Sequence, residues 1–105
     1  MVFEKPSDEE ELPYELRISY QNSIPKKLAL IKKLIQNLIE KKDLSSLQDL
    51  RIEIHKIAGS AGMYGYKQVS LSCKEWDSDL SKKIMEFSQR PLRKEWLDSL
   101  MIIFQ

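Results

Sequence analysis

Apolar residues recur at three- and four-residue intervals along almost the whole chain, and no alternating run of strand length interrupts them. Residues 1–11 are polar and acidic, with four carboxylates from Asp8 to Glu11, and read as a lead-in to a domain spanning 12–105. Leu12, Leu16 and Tyr20 predict a short first helix. Ser23 as a cap and Pro25 in the first turn predict the start of a second, striped by Ile24, Leu28, Ile31, Ile35 and Leu38. Lys41-Lys42-Asp43 closes it. A third helix carries Leu44, Leu47, Leu50, Ile54, Ile57 and Ala61, and Gly65 suits its C-terminal cap. The fourth is the most regular: Tyr66, Val69, Cys73, Trp76, Leu80 and Ile84, with Phe87 after them. Pro91 breaks the pattern and can start a last helix striped by Leu92, Trp96, Leu100 and Ile103, with Phe104 beside it. The prediction is an all-α fold: an antiparallel four-helix bundle with a short additional N-terminal helix across one end. Trp76, Trp96 and Cys73 follow the stripes and are expected in the core.

Composition narrows the possible roles. A chain of 105 residues, 42% hydrophobic and 31% charged, fits one soluble domain able to bury a core. A formal net charge of +1 provides no broad field for nucleic acid or an anionic membrane. One cysteine excludes an intrachain disulfide and zinc-finger spacing. No apolar run approaches the ~20 residues of a membrane span. The N-terminus lacks a basic, then apolar, signal segment. A cytoplasmic monomer is expected, and the opening Met1 leans towards a free-standing protein.

Candidate chemistry concentrates around the one histidine, His55, in His55-Lys56-Ile57-Ala58-Gly59-Ser60-Ala61-Gly62-Met63-Tyr64-Gly65. At ~100° per residue, the apolar set of this helix centres roughly 120° from His55, which should therefore be partly exposed. Gln48, Ile52, Gly59 and Gly62 share its face, with Lys56 and Met63 on one flank and Arg51 on the other. Each glycine inside a helix costs ~1 kcal/mol relative to alanine, so something must require the bare backbone. Two glycines beside the imidazole would open it to a large partner. Ile52 and Met63 would form an apolar rim, and Lys56 and Arg51 a positive one. Ser60, turned roughly 140° from His55, is expected to be structural.

Imidazole suits phosphoryl carriage. Its reference pKa of about 6.5 leaves much of it neutral and nucleophilic near neutral pH, and N-phosphorylation yields a labile phosphoramidate. Neither a GxxxxGK[ST] loop nor a GxGxxG loop is present to bind ATP, so phosphate and metal would have to come from partners. The stretch from His55 to Gly62, followed by Gly65, resembles the signature of histidine phosphotransfer (HPt) domains, and the layout from about residue 12 onwards is similar too. The resemblance implies a carrier without kinase activity, shuttling phosphate on His55 between aspartates of response-regulator receiver domains downstream of a hybrid sensor histidine kinase. The receiver would supply Mg²⁺, and the chain would need no cofactor of its own. By position, Gly59 matches the glycine that uncovers the imidazole, and Lys56 a frequent basic neighbour. Asp77 matches a polar residue that holds the inner ring nitrogen. Many members have lysine three residues after the histidine, where this chain has Ala58.

Plainer readings stand beside these. A lone histidine is more often just a polar residue, the glycines can serve helix packing, and Arg51 and Lys56 can be solvated charges. An HPt-like adaptor that binds a receiver or kinase without being phosphorylated is the main alternative. A bundle metal site needs several inward Glu and His residues, which one histidine cannot supply.

Overall fold

The computed structural model describes residues 13–103, which form four helices: α1 (Tyr14–Lys41), α2 (Leu44–Met63), α3 (Lys67–Glu86) and α4 (Lys94–Ile103). No strand occurs among the described residues. The acidic lead-in, Leu12 and Phe104 lie outside them.

The first two predicted helices are one. Helix α1 runs unbroken for 28 residues, with Pro25 inside it. Ser23 does not cap a new helix; its hydroxyl donates to the Tyr20 carbonyl at 2.6 Å, inside the helix. Proline removes one backbone donor and crowds the carbonyl four residues back, that of Gln21. Pro25 and Gln21 are both exposed, so water can serve the released carbonyl. The flanking turns are held by tertiary contacts. Tyr20 stacks on Tyr64 with centroids 4.2 Å apart and shares a 3.0 Å hydrogen bond with Ser60, while Ile31, Ile35 and Leu38 are buried beyond the proline. Leu16, expected on the packed stripe, is exposed.

Two short connections set the helices antiparallel. Lys42 ends α1 in the left-handed region at φ 51°, its N–H donating to the Leu38 carbonyl at 2.8 Å. The next residue, Asp43, caps α2 by accepting from the Ser46 N–H at 2.8 Å. Hydrogen bonding by the Ser46 side chain, and then by its backbone N–H, holds the Asp43 carboxyl below its ordinary range. Its ionised form is therefore favoured by folding: the contribution is complete above the unfolded-state pKa and is lost as pH falls through the folded-state value. Asp43→Ala should lower the thermal midpoint at neutral pH. In scans at successively lower pH the two proteins should converge, and a constant gap would mean that the charged cap is not the cause. At the other end, Gly65 sits at φ 90°; its N–H donates to the Gly62 carbonyl at 3.3 Å and that of Tyr66 to the Ala61 carbonyl at 2.8 Å. This paired closure needs a residue without Cβ at that φ.

Helix α2 packs most extensively on α3, and α1 packs on α2 and α4. Leu47, Leu50, Ile54, Ile57 and Ala61 of α2 meet Val69, Cys73 and Leu80 of α3 in the shared core. Fully burying each large aliphatic side chain is worth ~1.5–3 kcal/mol. Burial pushes the Cys73 thiol up to about 12, which keeps it protonated and unreactive.

The last helix departs from the predicted register. Pro91 lies in the preceding loop, α4 begins at Lys94, and its buried residues are Leu97 and Leu100. Trp96 is only partly buried: its indole N–H donates to Asp79 at 3.0 Å and the Lys83 ammonium lies 5.4 Å from the ring centroid. An indole needs a partner for its N–H, and the α3 surface provides one where the core cannot. Trp76 is likewise half-buried, at the margin of the core.

Candidate functional site

His55 leaves α2 between the core positions Ile54 and Ile57 yet points outwards, with its side chain 61% exposed. Because α2 and α3 are antiparallel, His55 and Asp77 lie at similar distances from the 64–66 turn and therefore at the same level. The inner ring nitrogen, Nδ1, is 2.8 Å from Asp77 Oδ2. An ionised carboxylate can only accept, so this bond assigns the proton of the neutral ring to Nδ1 and leaves the lone pair on Nε2.

Asp77 is 18% exposed, one residue past Trp76 at the edge of the seam. Its other oxygen, Oδ1, accepts from Arg51 Nε at 2.9 Å. Arg51 is thus not a plain solvated charge. It shares the carboxylate that meets the imidazole. The wheel put Arg51 on the flank of His55 but could not show which residue of α3 lay opposite.

Lys56, on the outer flank, donates to Glu53 Oε1 at 3.2 Å. Glu53 was not among the predicted site residues, although opposite charges three apart on a helix are a readable signal. The pair is exposed, and such pairs are weak enough to exchange partners readily.

The two glycines differ. A Cβ at Gly59 would meet nothing within 4 Å, so the space one turn along from the ring is open. A Cβ at Gly62 would lie 3.1 Å from Ser70 Oγ, which corrects its placement on the open face. Gly62 lets α3 approach, and the buried Ser70 hydroxyl donates to the Ala58 carbonyl at 2.7 Å. Ala58 itself is buried in this seam, so the position three residues after the histidine is covered by the neighbouring helix.

Around the imidazole the surface is apolar in patches. Ile52 and Met63 are exposed on either side of it along α2. Gln48, Arg51 and Ile52 line one wall of an open groove of about 480 Å³. The other wall is Ser81, Ile84 and the 81% exposed Met85 of α3, which the sequence reading did not single out. Among the described residues no three His, Cys, Asp or Glu side chains are placed to hold a metal ion, and no helix is long and apolar enough to cross a membrane.

No curated protein and no solved structure matches the chain. A family model does: residues 15–101 match that of the Hpt domain. This match covers nearly the whole described bundle, including the helix that presents His55 and the helix whose carboxylate holds it, and the chain belongs to the Hpt domain family.

Proposed function

We propose that this chain carries its phosphoryl group on Nε2 of His55, taking it from the phosphoaspartate of one receiver domain and giving it to the aspartate of another. The observation that carries the reading is the outward ring whose inner nitrogen is held by Asp77, with open space at Gly59.

The step follows from that geometry. The Nε2 lone pair forms the N–P bond while the acyl-phosphate O–P bond breaks, and the donor aspartate leaves as a carboxylate. The ring gains positive charge during attack, and Asp77, already on Nδ1–H, offsets it electrostatically. A receiver would bring its own Mg²⁺, which would offset charge on the transferring group. Lys56 can exchange Glu53 for the phosphoryl oxygens once they arrive, since its present bond is exposed. Return to a second receiver reverses the same bonds. Ile52, Met63 and the groove beside Gln48 give a receiver apolar surface edged with charge, as a transient encounter requires. A hybrid sensor kinase stands upstream in this reading, and the carrier acts as a monomer.

The test is phosphoryl transfer from a phosphorylated receiver domain, with Mg²⁺ present. Acid-labile, alkali-stable label on the chain is the expected result. Receiver binding without label would overturn the carrier in favour of an adaptor.

A further inference from the structure

Lys56 is the basic residue singled out by its place next to the histidine, but the cation bonded into the His55 network is Arg51. We infer that Arg51 is a positioning residue of the phosphoacceptor: by holding Oδ1 of Asp77 it keeps Oδ2 on Nδ1 of His55, so that Nε2 remains the free ring nitrogen. This rests on the reading that Nε2 accepts the phosphoryl group.

Three observations converge. The Asp77 carboxylate has one directed partner on each oxygen, Arg51 Nε at 2.9 Å and His55 Nδ1 at 2.8 Å. Both partners come from α2, four residues and about one turn apart, so one rigid helix presents both bonds at once. Finally, the three groups differ in freedom. The imidazole is 61% exposed, the Arg51 side chain 37% and Asp77 18%.

A carboxylate torsion is broad and nearly two-fold, so a bond to a mobile ring alone would not set its plane. The Arg51 guanidinium is planar and permanently charged, and its Nε–H points in a direction fixed by that plane. Bonded to Oδ1, it sets the carboxylate plane and with it the position of Oδ2. Without it, Asp77 would be a mostly buried charge compensated by one exposed partner, free to turn towards solvent. The ring would then lose its fixed acceptor and could place its proton on either nitrogen. A ring protonated on Nε2 has no lone pair where the phosphoryl group must bind.

Lys56 does not share this role: it lies on the other flank of the ring and bonds Glu53 rather than Asp77. Arg51 also borders the groove beside Ile52, so a role as a docking cation is the competing account. The two roles predict different measurements.

The experiment records ¹⁵N resonances of the His55 ring at alkaline pH, where the imidazole is neutral, in the wild type, Arg51→Gln, Arg51→Lys, Asp77→Asn and the Arg51→Gln/Asp77→Asn double variant. Arg51 is partly exposed, so glutamine should preserve the fold, and the amide spectrum checks this. The wild type should show predominantly the Nδ1–H tautomer. Arg51→Gln and Asp77→Asn should each move the population towards Nε2–H, and the double variant should go no further, because Arg51 acts through Asp77. Arg51→Lys should restore part of the wild-type ratio. At saturating phospho-receiver, Arg51→Gln should slow transfer about tenfold with little change in KM, as loss of an orienting partner does. An unchanged tautomer ratio in Arg51→Gln overturns the inference whatever happens to the rate; a raised KM with that unchanged ratio would make Arg51 a docking cation. A tautomer shift in a chain whose wild type takes no label would sink the carrier and leave the clamp supported.

Discussion

His55→Gln should abolish labelling by a phosphorylated receiver, a loss of at least ~1,000-fold, since removing a nucleophile leaves nothing to form the covalent intermediate. The chain has no second histidine to take over. The fold should survive, because the ring is largely exposed and its one hydrogen bond is to Asp77. A glutamine amide can reach towards the same carboxylate, and surface changes of this kind usually stay within ~0.5 kcal/mol. Transfer assays on the purified variant, paired with thermal unfolding, separate the two effects. Persisting label on a folded His55→Gln protein would place the acceptor elsewhere and sink the assignment. Receiver binding should persist without label, because the surface at Ile52, Met63 and the groove is untouched.

The second large effect is a contrast between the two glycines. Gly59→Gln should slow transfer on the order of a hundredfold while leaving the domain folded. The new side chain has space in the free protein, but a receiver must bring its aspartate into that space, and a displacement of about 1 Å in a reacting pair costs that much. Replacing a mid-helix glycine should even raise stability by ~0.5–1 kcal/mol. Gly62→Leu should do the opposite. Its Cβ alone comes 3.1 Å from Ser70 Oγ, and that hydroxyl cannot yield easily because it is buried and bonded to Ala58. Overpacking of this kind costs ~1–3 kcal/mol, and stranding a buried hydroxyl costs a similar amount. The gain in helix propensity, about 1 kcal/mol, offsets only part of this. Denaturant unfolding and transfer kinetics on both variants make the check. Equal stability losses would mean that the glycines share one environment; unimpaired transfer in Gly59→Gln would remove the argument that bare backbone admits the partner.

That contrast shows how far periodicity reaches. Both glycines share a face with His55 on an ideal wheel, and the wheel places His55 correctly outside the core. It has no information about where α3 crosses. The Gly62 side of the wheel is open in an isolated helix and covered by Ser70 in the folded chain. Arg51 is the same problem in reverse. Alone on α2 it reads as a solvated cation, and only the register between two antiparallel helices brings it to Asp77.

At the start of the chain, local signals misled. Ser23 and Pro25 are strong marks of a helix start, yet α1 passes through both, because Tyr20 on one side and Ile31 on the other are held in the same packed structure. A single lost backbone bond on an exposed surface is a small term against that burial. The last helix shifted for a related reason: the tryptophan expected in the core turned to Asp79 and Lys83, and Leu97 took the buried place.

What the sequence determined by itself rests on short-range physics. The helices follow from apolar spacing, the reversal at Gly65 from the conformations open to glycine, and the outward His55 and bare Gly59 from angles along one helix. The pairing of Asp77 with His55 was implied by the family resemblance, but the other cross-helix contacts came only with the tertiary structure: Asp77 bonded to Arg51, Ser70 against Gly62, Met85 across the groove from Ile52. Such contacts depend on the relative height and rotation of two helices, which no repeat within either of them encodes. Burial of the whole apolar surface sets both at once.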